Sequence, residues 1–423
     1  MAATALRRNP RITFSLRSFS TATATSTATA TATATATSTV ALSTDPSPPS
    51  TVVNGASISR IKTSIRSESN PDRLADLFAT AATTRLFYGD RIIYKRAIKK
   101  LADAHRPDLI ERLLEHQITD PSTPKSEGFL MRIISLYGDA SMPDQAAAAF
   151  TRIPPPRTDR ALCALLNAFF KSGQRTRLHD TFENAESTLN VSPGIACCNL
   201  ILKSLCENGE VSAARVMLDE LPQRGLTPDI ISYNTVLDGY VKSKNQEGFE
   251  DLLKEISKKK LEANVVTYHC RISVLCESGR SIEAEELLDV MISKGVRPNT
   301  ACFNTLIDGF CKEGNSSMAI KVFRRMEKMK NDDSSAASAN HTTYILLLSC
   351  LVEKEEFDTA LEIVDLCFRR KWAPPFPTVK GLVHGLIEKS KVKEAKDVVK
   401  KMGSVVKGDS IAAWKKINSE FTF

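Results

Sequence analysis

A chain of 423 residues with 42% hydrophobic and 25% charged residues is long enough for a large core or an extended stack, and its net charge of +8 is modest. Its longest apolar run, ILLLSCLV (345–352), is far short of the ~20 residues a bilayer span needs, which excludes a membrane helix. The ten cysteines include no C-x-x-C pair, and in a chain of this size they argue against a disulfide framework.

Residues 1–45 carry Arg7, Arg8, Arg11 and Arg17, many Ser and Thr, and no acidic residue before Asp45. This is the composition of an organellar transit peptide; a secretory signal needs a continuous apolar core. The stretch RSFS (17–20) has the form of a mitochondrial processing site, and the Thr/Ala run behind it is too polar to bury a core. Residues 1–60 are expected to be disordered, with 46–70 as a linker. PDRLADLFATA (71–81) then reads as half of a helical unit that opens a stack over 71–410.

Within that stack four stretches echo one another: PGIACCNLILKSLCENGE (193–210), PDIISYNTVLDGYVKSKN (228–245), ANVVTYHCRISVLCESGR (263–280) and PNTACFNTLIDGFCKEGN (298–315). Aligning Asn199, Asn234, His269 and Asn304 gives a step of 35 residues each time, a solenoid's period. In residues 230–264 a first helix should begin near Ser232 and carry Val236, Leu237 and Tyr240. A second follows the break KSKNQEG and carries Phe249, Leu252, Leu253 and Ile256. Neither apolar face can be buried alone, so neighbouring hairpins must stack.

A second register supports this. Ala146, Ala214, Ala284, Ala319, Ala360 and Ala395 stand twenty residues into their units, small enough for the two helices to lie close. Phe249 breaks the pattern, so its unit should pack less closely. Gly209, Gly279 and Gly314 mark the turn inside a unit, and Pro228, Pro298 and Pro374 the turn between units. Cys206, Cys276 and Cys311, each seven residues after its marker, read as small packing residues. The units fall at about 91–126, 127–159, 160–194, 195–229, 230–264, 265–299, 300–340, 341–375 and 376–410, the first three divergent. NDDSSAASAN (331–340) holds an insertion of about six residues that reads as a surface loop. SIAAWKKINSEF reads as a capping helix at 411–423.

The phrases YNTVLDGY, FNTLIDGFCKEGN, MISKGVRPN and LPQRGLTPD resemble the pentatricopeptide repeat family, P class. A tetratricopeptide reading needs a 34-residue period and a Trp pattern that Trp372 and Trp414 do not supply. The resemblance implies an all-α fold, a right-handed α-solenoid of about nine repeats. No phosphate loop, zinc helix, nucleophile elbow or deaminase signature occurs, so neither catalysis nor a cofactor or metal is expected.

In that family the fifth and last residues of a unit face one base, and the second residue sandwiches it. The resemblance therefore assigns base reading to Asn199 with Asp229, Asn234 with Asn264, His269 with Asn299, and Asn304 with Asn340. The first pair would favour uracil, the second and fourth pyrimidines with cytosine preferred, and His269 leaves its base open. The sandwiching residues would be Ala196, Ile231, Val266 and Ala301. The pattern fails outside the centre, at Ala164/Gly194, Ile345/Pro375 and Lys380. Each marker Asn has a second reading, as a helix-start cap.

A basic stretch, RIIYKRAIKKLADAHR (91–106), offers Lys95, Arg96, Lys99 and Lys100 to an RNA backbone, or is simply a solvated helix face. KWAPPFPTVKGLVHGLIEKSKVKEAKDVV (371–399) resembles the ending of short P-class proteins of plant mitochondria, some of which are ribosomal. Three functions follow in order. The first is a non-catalytic mitochondrial adaptor that binds single-stranded RNA, mRNA or rRNA, in translation, alongside small-subunit ribosomal proteins. The second is a transcript-specific stabilisation or processing factor, and the third a peptide-binding scaffold. No membrane or small-molecule partner is expected.

Overall fold

The computed structural model describes residues 55–82, 90–121, 125–332, 337–408 and 410–419. The expected transit segment 1–45, with its arginines and the expected processing site, lies outside them. The described residues hold helices and no strand, and no described helix is long and apolar enough to cross a membrane.

From Arg91 onward a first (A) helix and a second (B) helix alternate. The A helices are Arg91–Asp103, Glu127–Asp139, Asp159–Lys171, Ile195–Glu207, Ile230–Lys242, Val265–Glu277, Thr300–Lys312, His341–Glu353 and Phe376–Glu388. The B helices are Pro107–Thr119, Pro143–Thr151, Arg175–Glu183, Val211–Glu220, Gln246–Lys258, Ser281–Ser293, Ser316–Asp332, Phe357–Arg369 and Val392–Val405. Each A helix packs on its own B helix and on the next A helix, which is the expected α-solenoid of stacked hairpins.

The stack begins earlier than the sequence implied. Residues 55–67 of the expected linker form a helix, Gly55–Ser67, paired with Pro71–Ala82. Ile65 from that helix is fully buried with Leu74 and Phe78, and Lys62 pairs with Asp90 at 2.8 Å. Its few apolar residues gave a weak periodic signal because the helix is anchored largely by polar contacts. At the other end, helix Ser410–Asn418 buries Trp414 against Phe376, with ring centroids 5.6 Å apart. Within the insertion Asn331 and Asp332 extend a B helix rather than a loop, and Ser338 O accepts from Thr300 Oγ1 at 3.1 Å.

The start of an A helix is set one step before the expected residue. Asp229, Asn264, Asn299 and Asn340 are the N-caps, each accepting a hydrogen bond from the backbone N–H three residues on. The helix expected near Ser232 thus starts at Ile230, and Ser232 is the partner in a capping box whose hydroxyl takes the Asp229 N–H at 3.2 Å. The A helices all end in one way, with the second residue past the helix at positive φ. Glycine fills this place at 173, 209, 279 and 314, whereas His105, Ser141, Lys244, Glu355 and Ser390 adopt it with side chains. A left-handed non-glycine residue costs about 1 kcal/mol. Lys244→Gly is therefore expected to raise the melting temperature measured by calorimetry, by a few degrees at most.

The twentieth-position alanines are all fully buried. Phe249 is buried as well, but it borders an open groove of about 520 Å³ with Tyr240, Val274 and Cys276. The hydrophobic core divides into two clusters here, one ending at Cys270 and the other beginning at Tyr268. Cys206 and Cys276 pack where adjacent A helices come closest, against Gly239 and Gly309, where an added Cβ would fall 2.7 Å from each sulfur. Burial raises the thiols of both, to about 12 and about 11, which leaves them inert packing groups.

Candidate nucleic-acid interface

The fifth residue of a unit lies in the second turn of its A helix, and the last residue caps the next A helix. The structure brings them together. Asn199 Nδ2 donates to Asp229 Oδ1 at 3.3 Å, Asn234 Nδ2 to Asn264 Oδ1 at 2.9 Å, and Asn304 Nδ2 to Asn340 Oδ1 at 3.3 Å. The marker asparagines are therefore not helix caps; that work falls to the last residues. Asn199 and Asn304 are half-buried and Asn234 is only 4% exposed.

A third side chain joins each pair, and nothing in the sequence pattern drew attention to it. Ser232 Oγ donates to Asn199 Oδ1 at 2.6 Å, Thr267 Oγ1 to Asn234 Oδ1 at 2.8 Å, and Thr343 Oγ1 to Asn304 Oδ1 at 2.6 Å. These are the third residues of the following units. Their signal in the sequence is the Ser or Thr immediately before each Tyr-Asn or equivalent, which is easily taken for a helix start alone.

The unit at 265–299 differs. Cys302 stands where the hydroxyl belongs, and Asn299 accepts only the Cys302 N–H at 3.0 Å. His269 turns instead to Thr305, with Nε2 3.0 Å from Oγ1. Burial lowers the His269 pKa, against the opposing pull of Asp238, so the imidazole is neutral at neutral pH. In the divergent unit before Asn199, the A helix starts at Asp159 rather than 160, which puts Cys163, not Ala164, in the fifth place. Its thiol is hydrogen-bonded to Cys197 and lowered to about 7.

Ala196, Ile231, Val266 and Ala301 are all exposed, in the first turn of their A helices and three residues before the fifth place. Ile231 is 57% and Val266 43% exposed, unusual for large aliphatic residues and suited to a base face. Lys95, Arg96 and Lys99 are exposed as well, and Lys95 holds the fifth place of its unit. Lys100 is not free for a phosphate. Its ammonium donates to the Ile65, Arg66 and Glu68 carbonyls at 3.2, 2.8 and 2.7 Å, closing the C-terminal end of helix Gly55–Ser67.

The donor and acceptor left over in each network differ in a usable way. Asp229 Oδ1 is taken by Asn199 and Ser232, leaving Oδ2, which only accepts. Asn264 and Asn340 use the same oxygen and keep an Nδ2, which only donates. Among the described residues no group of three or more His, Cys, Asp or Glu is placed to hold a metal.

Comparison with known proteins gives a family for part of the chain. The PPR repeat family model matches residues 193–242, 228–277, 263–312 and 298–332. A mitochondrial pentatricopeptide repeat-containing protein of Arabidopsis thaliana is 35% identical over 172 residues, 40% of this chain and 43% of that protein. From the same plant, small ribosomal subunit protein mS79 is 30% identical over 189 residues, covering 44% of this chain and 46% of that protein. Small ribosomal subunit protein mS78 is 32% identical over 165 residues, 38% and 41%. The matches thus span less than half the length of these relatives. The crystal structure of maize PPR10 aligns with a TM-score of 0.45 and 17% identity, over 85% of this chain and 59% of that one.

Proposed function

We infer that this chain, which carries pentatricopeptide repeats over residues 193–332, is a non-catalytic mitochondrial protein that binds single-stranded RNA as an adaptor in translation, seated on the small ribosomal subunit. The observation that carries the reading is the repeated trio of Asn, cap and hydroxyl, set beside exposed Ile231 and Val266. An amide or carboxylate edge next to an aliphatic clamp is what reading an unstacked base requires. The reading of compartment and particle is supported by the relatives named for mitochondria and for the small ribosomal subunit.

Magnitude favours an adaptor over a lone transcript finder. Among the described residues three units have the complete trio, and the His269 unit interrupts them. A three-base word recurs about every 64 nucleotides, and each good contact discriminates by about 1–3 kcal/mol, so competing sites would swamp a free factor. On a ribosome, protein and backbone contacts supply affinity and the trios only set register.

Photo-crosslinking of the full-length chain to a 4-thiouridine RNA tests the reading. Adducts should map to peptides containing Ile231 and Val266. Adducts confined to the B helices, or none at all, would refute it. Changing Lys95, Arg96 and Lys99 to Gln should weaken RNA binding and reduce the slope of log affinity against log salt by about 2, since each phosphate contact contributes ~0.7. A fusion of residues 1–50 to a fluorescent protein should enter mitochondria, and changing Arg7, Arg8, Arg11 and Arg17 to Gln should stop it. Plastid accumulation of the unmodified fusion would overturn the compartment.

A further inference from the structure

We propose that the third residue of each following unit, as Ser232, Thr267 and Thr343, is a specificity-determining positioning residue that acts with the helix cap to hold the edge the fifth-position amide presents, so that these readers are completed by the next repeat. The proposal rests on the RNA-binding reading above and adds to it the source of the amide's orientation.

An asparagine amide has two nearly isosteric orientations, and only its surroundings choose between them. Here the choice starts from the helix cap. The Ser232 backbone N–H donates to Asp229 Oδ1 at 2.9 Å, and the Thr343 N–H to Asn340 Oδ1 at 3.1 Å. That oxygen must therefore be an acceptor, and the fifth-position amide must turn its Nδ2 toward it. Its Oδ1 then faces the third-position hydroxyl, which donates at 2.6 Å in both units. With one N–H and one carbonyl lone pair spoken for, each amide presents a single remaining donor and a single remaining acceptor in a fixed sense. Without the hydroxyl, the amide is held by the cap oxygen alone, one anchor instead of two.

A unit that lacks the hydroxyl, 265–299, is the natural contrast. With Cys302 in the third place, the fifth residue is His269, and its ring bonds Thr305 rather than Asn299. Cys302 is fully buried and a weak donor, so it cannot hold an amide oxygen.

The experiment measures, by fluorescence anisotropy, binding of the full-length chain to short RNAs that differ at one base. Ser232→Ala should reduce the discrimination at the Asn199 base, about tenfold in the wild type, by severalfold, while Ser232→Thr retains it. His269→Asn should gain little alone. Together with Cys302→Thr it should acquire about a tenfold preference at its base. Undiminished discrimination in Ser232→Ala, or equal gain from His269→Asn with and without Cys302→Thr, overturns the proposal.

An RNA-free readout separates it from the functional reading. The Asn199 side-chain amide resonances should shift in Ser232→Ala and stay in place in Ser232→Thr. An unshifted amide sinks the proposal even if RNA binds. A shifted amide in a chain that binds no RNA sinks the functional reading and leaves the orienting role intact.

Discussion

Asp229→Asn is expected to convert the base preference of the 195–229 unit from uracil to cytosine. In the wild type the free atom of the cap is a carboxylate oxygen, suited to the imino N–H of uracil. Asparagine in the same rotamer keeps Oδ1 on the helix N-terminus and Ser232 and offers an N–H instead, suited to the bare ring nitrogen of cytosine. The N-cap itself is preserved, because Asn and Asp cap about equally well, so stability should change little. A reversal worth about 1–3 kcal/mol is expected in competitive binding with RNAs differing at that base. Loss of affinity for both RNAs alike would mean that Asp229 acts only as a cap.

The largest stability effect is expected from Gly138→Val. A Cβ at this position would sit 2.7 Å from Ala168 Cα and 2.8 Å from Ala168 Cβ in the next A helix, and backbone does not yield as a side-chain end does. Replacing glycine in a helix gains about half a kcal/mol of propensity, against roughly 1–3 kcal/mol or more for overpacking. The melting temperature should fall by several degrees, and hydrogen exchange should rise first in residues 127–194, since a solenoid fails at the damaged interface. Gly128→Ala, in the same helix with nothing within 4 Å of its added Cβ, is expected to be neutral or stabilising. Equal melting of the two variants would contradict the close A-helix contact.

Half-buried histidines give the fold a pH dependence with a definite sign. Burial lowers the folded-state pKa of both His179 and His269. The unfolded chain therefore takes up protons first as pH falls through about 6.5, and stability present above that pH is lost below it. His269→Asn should flatten the slope of melting temperature between pH 7 and 5. A slope unchanged by this and by the matching change at His179 would place the acid sensitivity elsewhere.

Periodic positions were legible in the sequence for a physical reason. A solenoid repeats its contacts, so a residue such as Ala284 or Asn304 is constrained alike in several successive units and stands out against variable neighbours. The hairpin ahead of Arg91 was not legible, because helix Gly55–Ser67 carries few apolar residues, and the contacts that hold it, Lys62 to Asp90 and Lys100 to its last carbonyls, come from residues distant in the chain. Lys100 looked like one more cation of a basic run; only the chain's return brings three carbonyls to it. The pairing of Asn199 with Asp229 came from family resemblance, whereas the part played by Ser232 needed the capping geometry, where one hydroxyl serves two helices.

Sedimentation of the full-length protein in a mitochondrial extract, before and after ribonuclease, tests the central claim most directly. The protein is expected in the small-subunit fraction, to shift to lighter fractions when the RNA is digested, and to remain with the subunit when Asn199 and Asn304 are changed to Ala. A protein that stays at the top of the gradient, and whose two Asn changes abolish protection of one transcript, would contradict an adaptor on the ribosome. A particle indifferent to ribonuclease would contradict RNA binding itself.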